Sequence, residues 1–351
     1  MGDINSDKKY MHMCLELARK AFGNTYPNPM VGCVIVCNDT IIGEGYHRKA
    51  GEAHAEIIAL NSVTRTDLLS ESTLYVNLEP CSHYGKTPPC SDAIIRHKIK
   101  RVVIACADSN PEVSGKGIAK MRQAGIDVEV GVLEKEARKL NCRFFTFMEQ
   151  KRPYIILKWA QTQDKFIDQA PHLKSQKKGV WITDEIGKKL VHTWRIQEQA
   201  ILVGTNTADI DNPQLTARLV SGNNPLRVTI DLHNRLPENL YVKDHSVPTI
   251  IFSLNPPESS HNLEYVPVSH KDNLWKELFA DLYMRNIQSI IIEGGYIILQ
   301  DLINKKLWDE ARIFTGPGYF HAGIPAPSIS GVFSHEEKIG NSQLSYFYQK
   351  N

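Results

Sequence analysis

TLYVNLEPCSHYGKTPPCSDAIIRHKIKRVVIAC, residues 73–106, changes structural type twice: 73–77 reads as a strand, 90–97 as a helix and 102–106 as a buried strand. Upstream, 52–61 is helical. Residues 31–36 and 41–45 are strands joined at Asn38-Asp39, a hairpin signal, and apolar positions recur at helical spacing over 7–22, ahead of Gly23. Downstream, 117–124 is a helix ended by Gly125, and 128–130 is a last strand. The order α, β, β, α, β, α, β, α, β with one early hairpin predicts a mixed sheet covered on both faces, a three-layer α/β/α sandwich.

The chain has 351 residues, so two domains are expected. A helix over 134–147 carries an aromatic cluster, after which Lys151-Arg152-Pro153 breaks the pattern and YIILKWA starts a new strand. The boundary is placed there, giving domains 1–150 and 151–351. The second half repeats an α/β rhythm, with strands at 200–203, 227–231, 249–252 and 289–293 and helices at 184–197, 274–285 and 296–305. Residues 255–268 read as a loop, with Pro256-Pro257 and Ser259-Ser260.

Apolar residues make up 42% and charged residues 23%, ordinary globular composition. With 41 basic and 39 acidic residues, the net charge of +2 excludes a surface that binds nucleic acid or membrane broadly. No long apolar run is present and the first residues, MGDINSDKKYMHMCLELARK, lack an apolar signal-peptide core, so a cytoplasmic location is expected. Seven thinly spread cysteines do not form a disulfide framework.

Chemistry concentrates in His54-Ala55-Glu56, Glu79-Pro80-Cys81 and Cys90. One imidazole and two thiolates supply three ligands of a tetrahedral zinc site and leave a fourth position for water. Glu56, two residues from His54, suits a proton shuttle between that water and a leaving amine. Taken singly, His54 also reads as a satisfied helix histidine, the cysteines as buried thiols and Glu56 as a solvated helix charge. Cys14, Cys33, Cys37, Cys106 and Cys142 are assigned to packing. The pattern is that of zinc-dependent nucleobase and nucleotide deaminases, with eight residues rather than two between the cysteines.

TYPNPMVGCVIV, GEGYHRKAGEAHAE, NLEPCSHYGKTPPCSDAI, DSNPEVSGKGI and QAGIDVEVG closely resemble the deaminase half of the bifunctional riboflavin-biosynthesis family, to about residue 150. The resemblance implies a cytidine-deaminase-like fold. It also implies hydrolytic removal of an amino group from 2,5-diamino-6-(5-phosphoribosylamino)pyrimidin-4(3H)-one. It further implies that Asn28 meets the pyrimidine and that His47, Lys86 and Asn110 hold the ribose phosphate. From the residues alone, Asn28 and Asn110 each precede proline and equally serve turns, and Lys86 reads as a loop charge.

In the second half, IIEGGYIILQDLI runs from a strand through Glu293-Gly294-Gly295 into a helix whose first N–H groups could meet a phosphate. A lone Gly-Gly is weak, and turn glycines are the commoner explanation. Together with LKWAQTQD, VWITD, ILVGTNTADIDNPQLTAR and RVTIDLHNR, it is similar to the reductase half of the same family over roughly 153–320. That half resembles dihydrofolate reductase. The similarity implies NADPH-dependent reduction of the ribosyl group to a ribityl chain, giving 5-amino-6-(5-phosphoribitylamino)uracil. Ala160, Trp181, Thr207, Asp211 and the turn at Gly295 are then expected on NADPH, and Arg195, Leu215, Arg218 and Glu293 along the substrate. Read singly, Trp181 and Leu215 are core residues and Arg195 a surface charge. The chain departs from the family at Thr162-Gln163-Asp164-Lys165, where serine-leucine-aspartate-glycine is usual, and at Gly179 and Leu232, where serines are usual.

Three rival readings follow. A deaminase with a degenerate reductase half shares every motif of the first domain. A nucleic-acid-editing deaminase shares His54, Glu56, Cys81 and Cys90 but calls for a basic groove. A structural zinc protein calls for a fourth protein ligand, His83 being nearest. The expected partner is a small phosphorylated pyrimidine, with no nucleic acid or membrane; a homo-oligomer stays open.

Overall fold

A computed structural model describes residues 4–84, 88–110, 114–170, 172 and 180–350. Lys86 and Gly179 lie outside them. The chain divides into two compact units, Met1–Lys151 and Arg152–Asn351.

The first unit runs α1 (Ile4–Arg19), β1 (Gly32–Cys37), β2 (Thr40–Tyr46), α2 (Ala55–Ser62), β3 (Thr73–Val76), α3 (Cys90–Arg96), β4 (Arg101–Ile104), α4 (Lys116–Gln123), β5 (Asp127–Val130), α5 (Glu134–Leu140) and α6 (Cys142–Gln150). Its sheet has the order β2-β1-β3-β4-β5; β1 is antiparallel to both neighbours and the last three strands are parallel. Asn38 and Asp39 both adopt positive φ, 48° and 58°, the handedness that closes a two-residue hairpin. Strand residues alternate between two cores. Cys33, Ile35, Leu74, Val76, Val102 and Ile104 pack with α2, α3 and α4, whereas Val34, Val36, Tyr75 and Val103 face α1, α5 and α6. The expected three layers follow from this alternation. At Gly32, any Cβ would stand 2.1 Å from the Cys14 carbonyl oxygen, so glycine is what lets α1 lie directly on β1.

The single helix expected over 134–147 is two. Asn141 leaves the helical conformation between them, and its side chain accepts from Met30 N at 2.8 Å and donates to Met30 O at 2.9 Å. Asn77 accepts from Gly32 N at 2.7 Å and donates to the same Met30 carbonyl at 3.0 Å. A tertiary need for two backbone partners at Met30 has overridden local helix propensity.

The second unit comprises β6 (Tyr154–Gln161), β7 (Phe166–Gln169), α7 (Glu185–Gln197), β8 (Ala200–Gly204), α8 (Thr205–Asp211), β9 (Leu226–Ile230), β10 (Thr249–Ser253), β11 (Leu263–Pro267), α9 (Leu274–Met284), β12 (Ser289–Glu293), α10 (Tyr296–Asn304), β13 (Glu310–Thr315), β14 (Gly323–Pro325), β15 (Val332–Ile339) and β16 (Ser342–Tyr348). Nine of the strands form one sheet, β11-β10-β9-β8-β12-β6-β13-β16-β15, parallel from β11 to β13 with an antiparallel β16-β15 edge, and β7 pairs with β14 in a separate antiparallel pair. Ile155, Leu157, Leu202, Val228, Ile290 and Ile292 form the core beneath α9 and α10. Residues 255–268, expected as loop, contain β11, an edge strand with only Leu263 buried, which removes the apolar run that marks a central strand.

Candidate active sites: a metal centre and a cofactor cavity

In the first unit, the end of β3 and the start of α3 bring Cys81 and Cys90 to His54, the residue that caps α2 in extended conformation. His54 Nδ1 lies 3.5 Å from Cys81 Sγ and 3.4 Å from Cys90 Sγ. One nitrogen facing two sulfurs exceeds what a single N–H can satisfy. It matches the edges of a tetrahedral zinc site, where bonds of ~2.1 Å to nitrogen and ~2.3 Å to sulfur set N···S separations of roughly 3.6 Å. The donor set therefore fits zinc. Among the described residues the cluster has these three ligands, and His83 does not join it.

Electrostatics favour a thiolate at Cys81. Cys90 opens α3, its N–H donates to Cys81 Sγ at 3.3 Å, and hydrogen bonding from Cys90 brings Cys81 down to about 4. Cys81 in turn drives Cys90 upward, and hydrogen bonding with Cys81 raises His54. Glu56 is 3% exposed on the first turn of α2. Burial first, then the charge of Cys81, pushes its carboxyl up to about 7. A hydrogen bond to Cys90 ties it to the centre.

Asn28 Nδ2 donates to His47 Nε2 at 3.0 Å, and His47 Nδ1–H donates to Ala53 O at 3.1 Å. Both ring nitrogens of this buried histidine are thus engaged, and burial lowers its pKa. As placed, His47 orients Asn28 rather than offering an N–H to a phosphate. Asn110 N donates to Asp108 Oδ1 at 2.7 Å in a turn. That loop is gathered by Glu79, whose buried carboxylate accepts from Asp108 N, Gly115 N, Gly117 N and Ile118 N at 2.9–3.2 Å. Its position two residues before Cys81 was visible in the sequence; its four partners were not.

In the second unit, a cavity of about 890 Å³ opens at the C-terminal ends of β6, β8, β9 and β12, the usual ligand position in an open parallel sheet. Ala160, Trp181, Thr207, Asp211, Gly295, Arg195, Leu215, Arg218 and Glu293 all line it. Trp181 is 69% exposed at the rim and Leu215 is buried with φ +57°. The starts of α8 and α10 meet in its wall: a Cβ on Gly295 would stand 3.5 Å from Thr207 Oγ1. Two such N-termini in an apolar-walled cleft of this size fit a phosphorylated dinucleotide such as NADPH.

Lys158, from β6, also lines the cavity; the sequence signal was a lysine inside an otherwise apolar buried strand. Its Nζ is 3.8 Å from Glu293 Oε1, and Arg195 Nη2 donates to Glu293 Oε2 at 3.1 Å. Burial would raise Glu293, but Lys158 and Arg195 outweigh it and hold the carboxyl low, while burial lowers Lys158. Lys165, standing where the family has glycine, adopts φ +65°.

The family model for the cytidine and deoxycytidylate deaminase zinc-binding region matches residues 4–106, and that for the RibD C-terminal domain matches residues 153–326. The riboflavin biosynthesis protein RibD of Aquifex aeolicus is 42% identical over 339 residues, covering 95% of this chain and 93% of the relative. Its Escherichia coli counterpart is 38% identical, covering 89% and 88%. Among solved structures, the diaminohydroxyphosphoribosylaminopyrimidine deaminase/5-amino-6-(5-phosphoribosylamino)uracil reductase of Thermotoga maritima superposes with a TM-score of 0.87 at 36% identity, covering 99% of both chains. RibD of Acinetobacter baumannii does so at 0.87 and 29% identity, covering 99% of this chain and all of the other.

Proposed function

The chain belongs to the RibD family, a zinc deaminase fused to an NADPH-dependent reductase in riboflavin biosynthesis, and from that premise we propose which of its residues perform each step. The observation that carries the reading is the convergence of His54 Nδ1 on two thiols beside the buried Glu56.

In the deaminase domain (1–150), His54, Cys81 and Cys90 hold the metal. When bound, zinc supplies a Lewis acid that brings the pKa of water toward ~7. The Glu56 carboxylate takes a proton from the attacking water and delivers it to the departing amine. Its burial suits this, because a carboxyl held near neutrality both accepts and releases a proton readily. Asn28, oriented by His47, reads the pyrimidine. Asn110 and Lys86 meet the ribose phosphate. The substrate is 2,5-diamino-6-(5-phosphoribosylamino)pyrimidin-4(3H)-one.

In the reductase domain (151–351), Ala160, Trp181, Thr207, Asp211 and Gly295 bind the cofactor, which when bound supplies a hydride. Arg195, Leu215, Arg218 and Glu293 lie along the ribosyl phosphate, where guanidinium groups suit oxyanions. Reduction also needs a proton, and Lys158 with Glu293 is the ionisable pair at the cavity suited to deliver it. The enzyme acts in the cytoplasm on small molecules; no described helix is long and apolar enough to cross a membrane.

The test follows ammonia and oxidised cofactor separately, with the whole chain given the diaminopyrimidinone nucleotide with and without NADPH. Ammonia release in both cases and cofactor oxidation only after deamination are expected; ammonia without any oxidation would leave a deaminase alone.

A further inference from the structure

Helix α7 carries two side chains, one turn apart, that both bond into the segment 215–219. Arg195 Nη1 donates to Thr216 O at 3.0 Å. His192, 2% exposed, accepts the Leu219 N–H on Nδ1 at 3.3 Å. Between them, Ala217 N donates to Asn224 Oδ1 at 2.9 Å. The segment needs such support, because Leu215 sits at φ +57°, a left-handed conformation that is strained for a residue with a side chain and persists only when the surroundings impose it.

An accepting Nδ1 fixes the ring as the neutral Nε2–H tautomer. Protonation would remove the acceptor and add a cation beside Arg195, Arg218 and Lys188, opposed by the Glu293 carboxylate. Burial, then these cations, brings His192 down to about 4. The ring therefore stays an acceptor over the ordinary working range.

We propose that His192 is a positioning residue of the reductase, a hydrogen-bond acceptor that fixes the segment 215–219 so that Arg218 meets the substrate's phosphate in the cavity. It rests on the reading that Arg218 binds that phosphate. His192 itself lines the cavity, and in this proposal it acts through its bond to Leu219 N and the backbone.

Three His192 variants, with Arg218→Ala and the double variant, test it, each read by KM and kcat for both reductase substrates, with KM for NADPH as the control that the second unit is folded. His192→Leu, which has no acceptor, should raise KM for the phosphorylated substrate about tenfold or more, with KM for NADPH and the deaminase rate within about twofold. His192→Asn, whose Oδ1 can stand in for Nδ1, should recover most of the loss; His192→Gln, whose amide replaces Nε2, should not. Adding His192→Leu to Arg218→Ala should cost little beyond Arg218→Ala alone. Rescue by Gln but not Asn would mean that the ring touches substrate directly and would overturn the proposal, as would full additivity. An unchanged KM in His192→Leu, with a raised one in Arg218→Ala, would overturn this proposal alone. An unchanged KM in Arg218→Ala would sink the phosphate reading along with it. If His192→Leu does not fold, the Asn and Gln pair decides.

Discussion

Glu56 is a carboxyl held out of water beside two thiols and is not among the three clustered metal donors, and the role proposed for it is proton transfer. Glu56→Gln should therefore keep one zinc per chain and unchanged NADPH oxidation while lowering ammonia release by roughly 10²–10⁴. Metal analysis together with the two separate assays checks this; full deamination with zinc retained would remove the shuttle role. Lys165 offers a second test at this scale. A lysine at φ +65° bears a steric cost that glycine does not, so Lys165→Gly should stabilise the second unit by about 1 kcal/mol in denaturant unfolding. The candidate metal donors were legible in the sequence because a short H-x-E spacing and a P-C turn are local. The roles proposed for Lys158 and His192 were not, because each is defined by a partner on another element: Glu293 on the neighbouring strand β12 and Leu219 in the segment beyond α8.

Helix α1 is secured to its sheet by one carboxylate. Asp7, 2% exposed, accepts from both terminal nitrogens of Arg101 at 2.8 and 2.9 Å and from Tyr75 Oη at 2.8 Å. Burial would raise its pKa, but Arg101 and Tyr75 outweigh burial and bring it below the ordinary value. A depressed native pKa contributes stability that is complete above the unfolded value of about 3.9 and is lost as pH falls through the native one. Asp7→Asn should therefore destabilise the first unit by about 3 kcal/mol at neutral pH and flatten its loss of stability below pH ~4. Urea titrations from acid to neutral pH measure both. At this scale the sequence was readable where apolar periodicity was strong, as in α1, β1 and β12. It was unreadable where contacts decided: the break at Asn141, the exposed edge strand β11, α8 with only Ala208 buried, and β13, β15 and β16 beyond residue 305.

For the whole chain, the two chemistries sit in separate compact units. Zinc removal by a chelator should abolish ammonia release while purified deaminated substrate is still reduced at the same rate; both activities returning together on adding zinc back would contradict the division. Two domains, the α/β class of each half and the donor set for a metal were determined by the sequence itself, because they rest on periodicity, turn chemistry and residue types at short spacing. Tertiary structure decided the rest: that His54 Nδ1 faces both thiols, that His47 is spent on Asn28 and Ala53, and that nine residues scattered from Ala160 to Gly295 meet at one cavity. Local pattern specifies which elements form. Distances between side chains far apart in sequence are set by how those elements pack, and the chemistry depends on those distances.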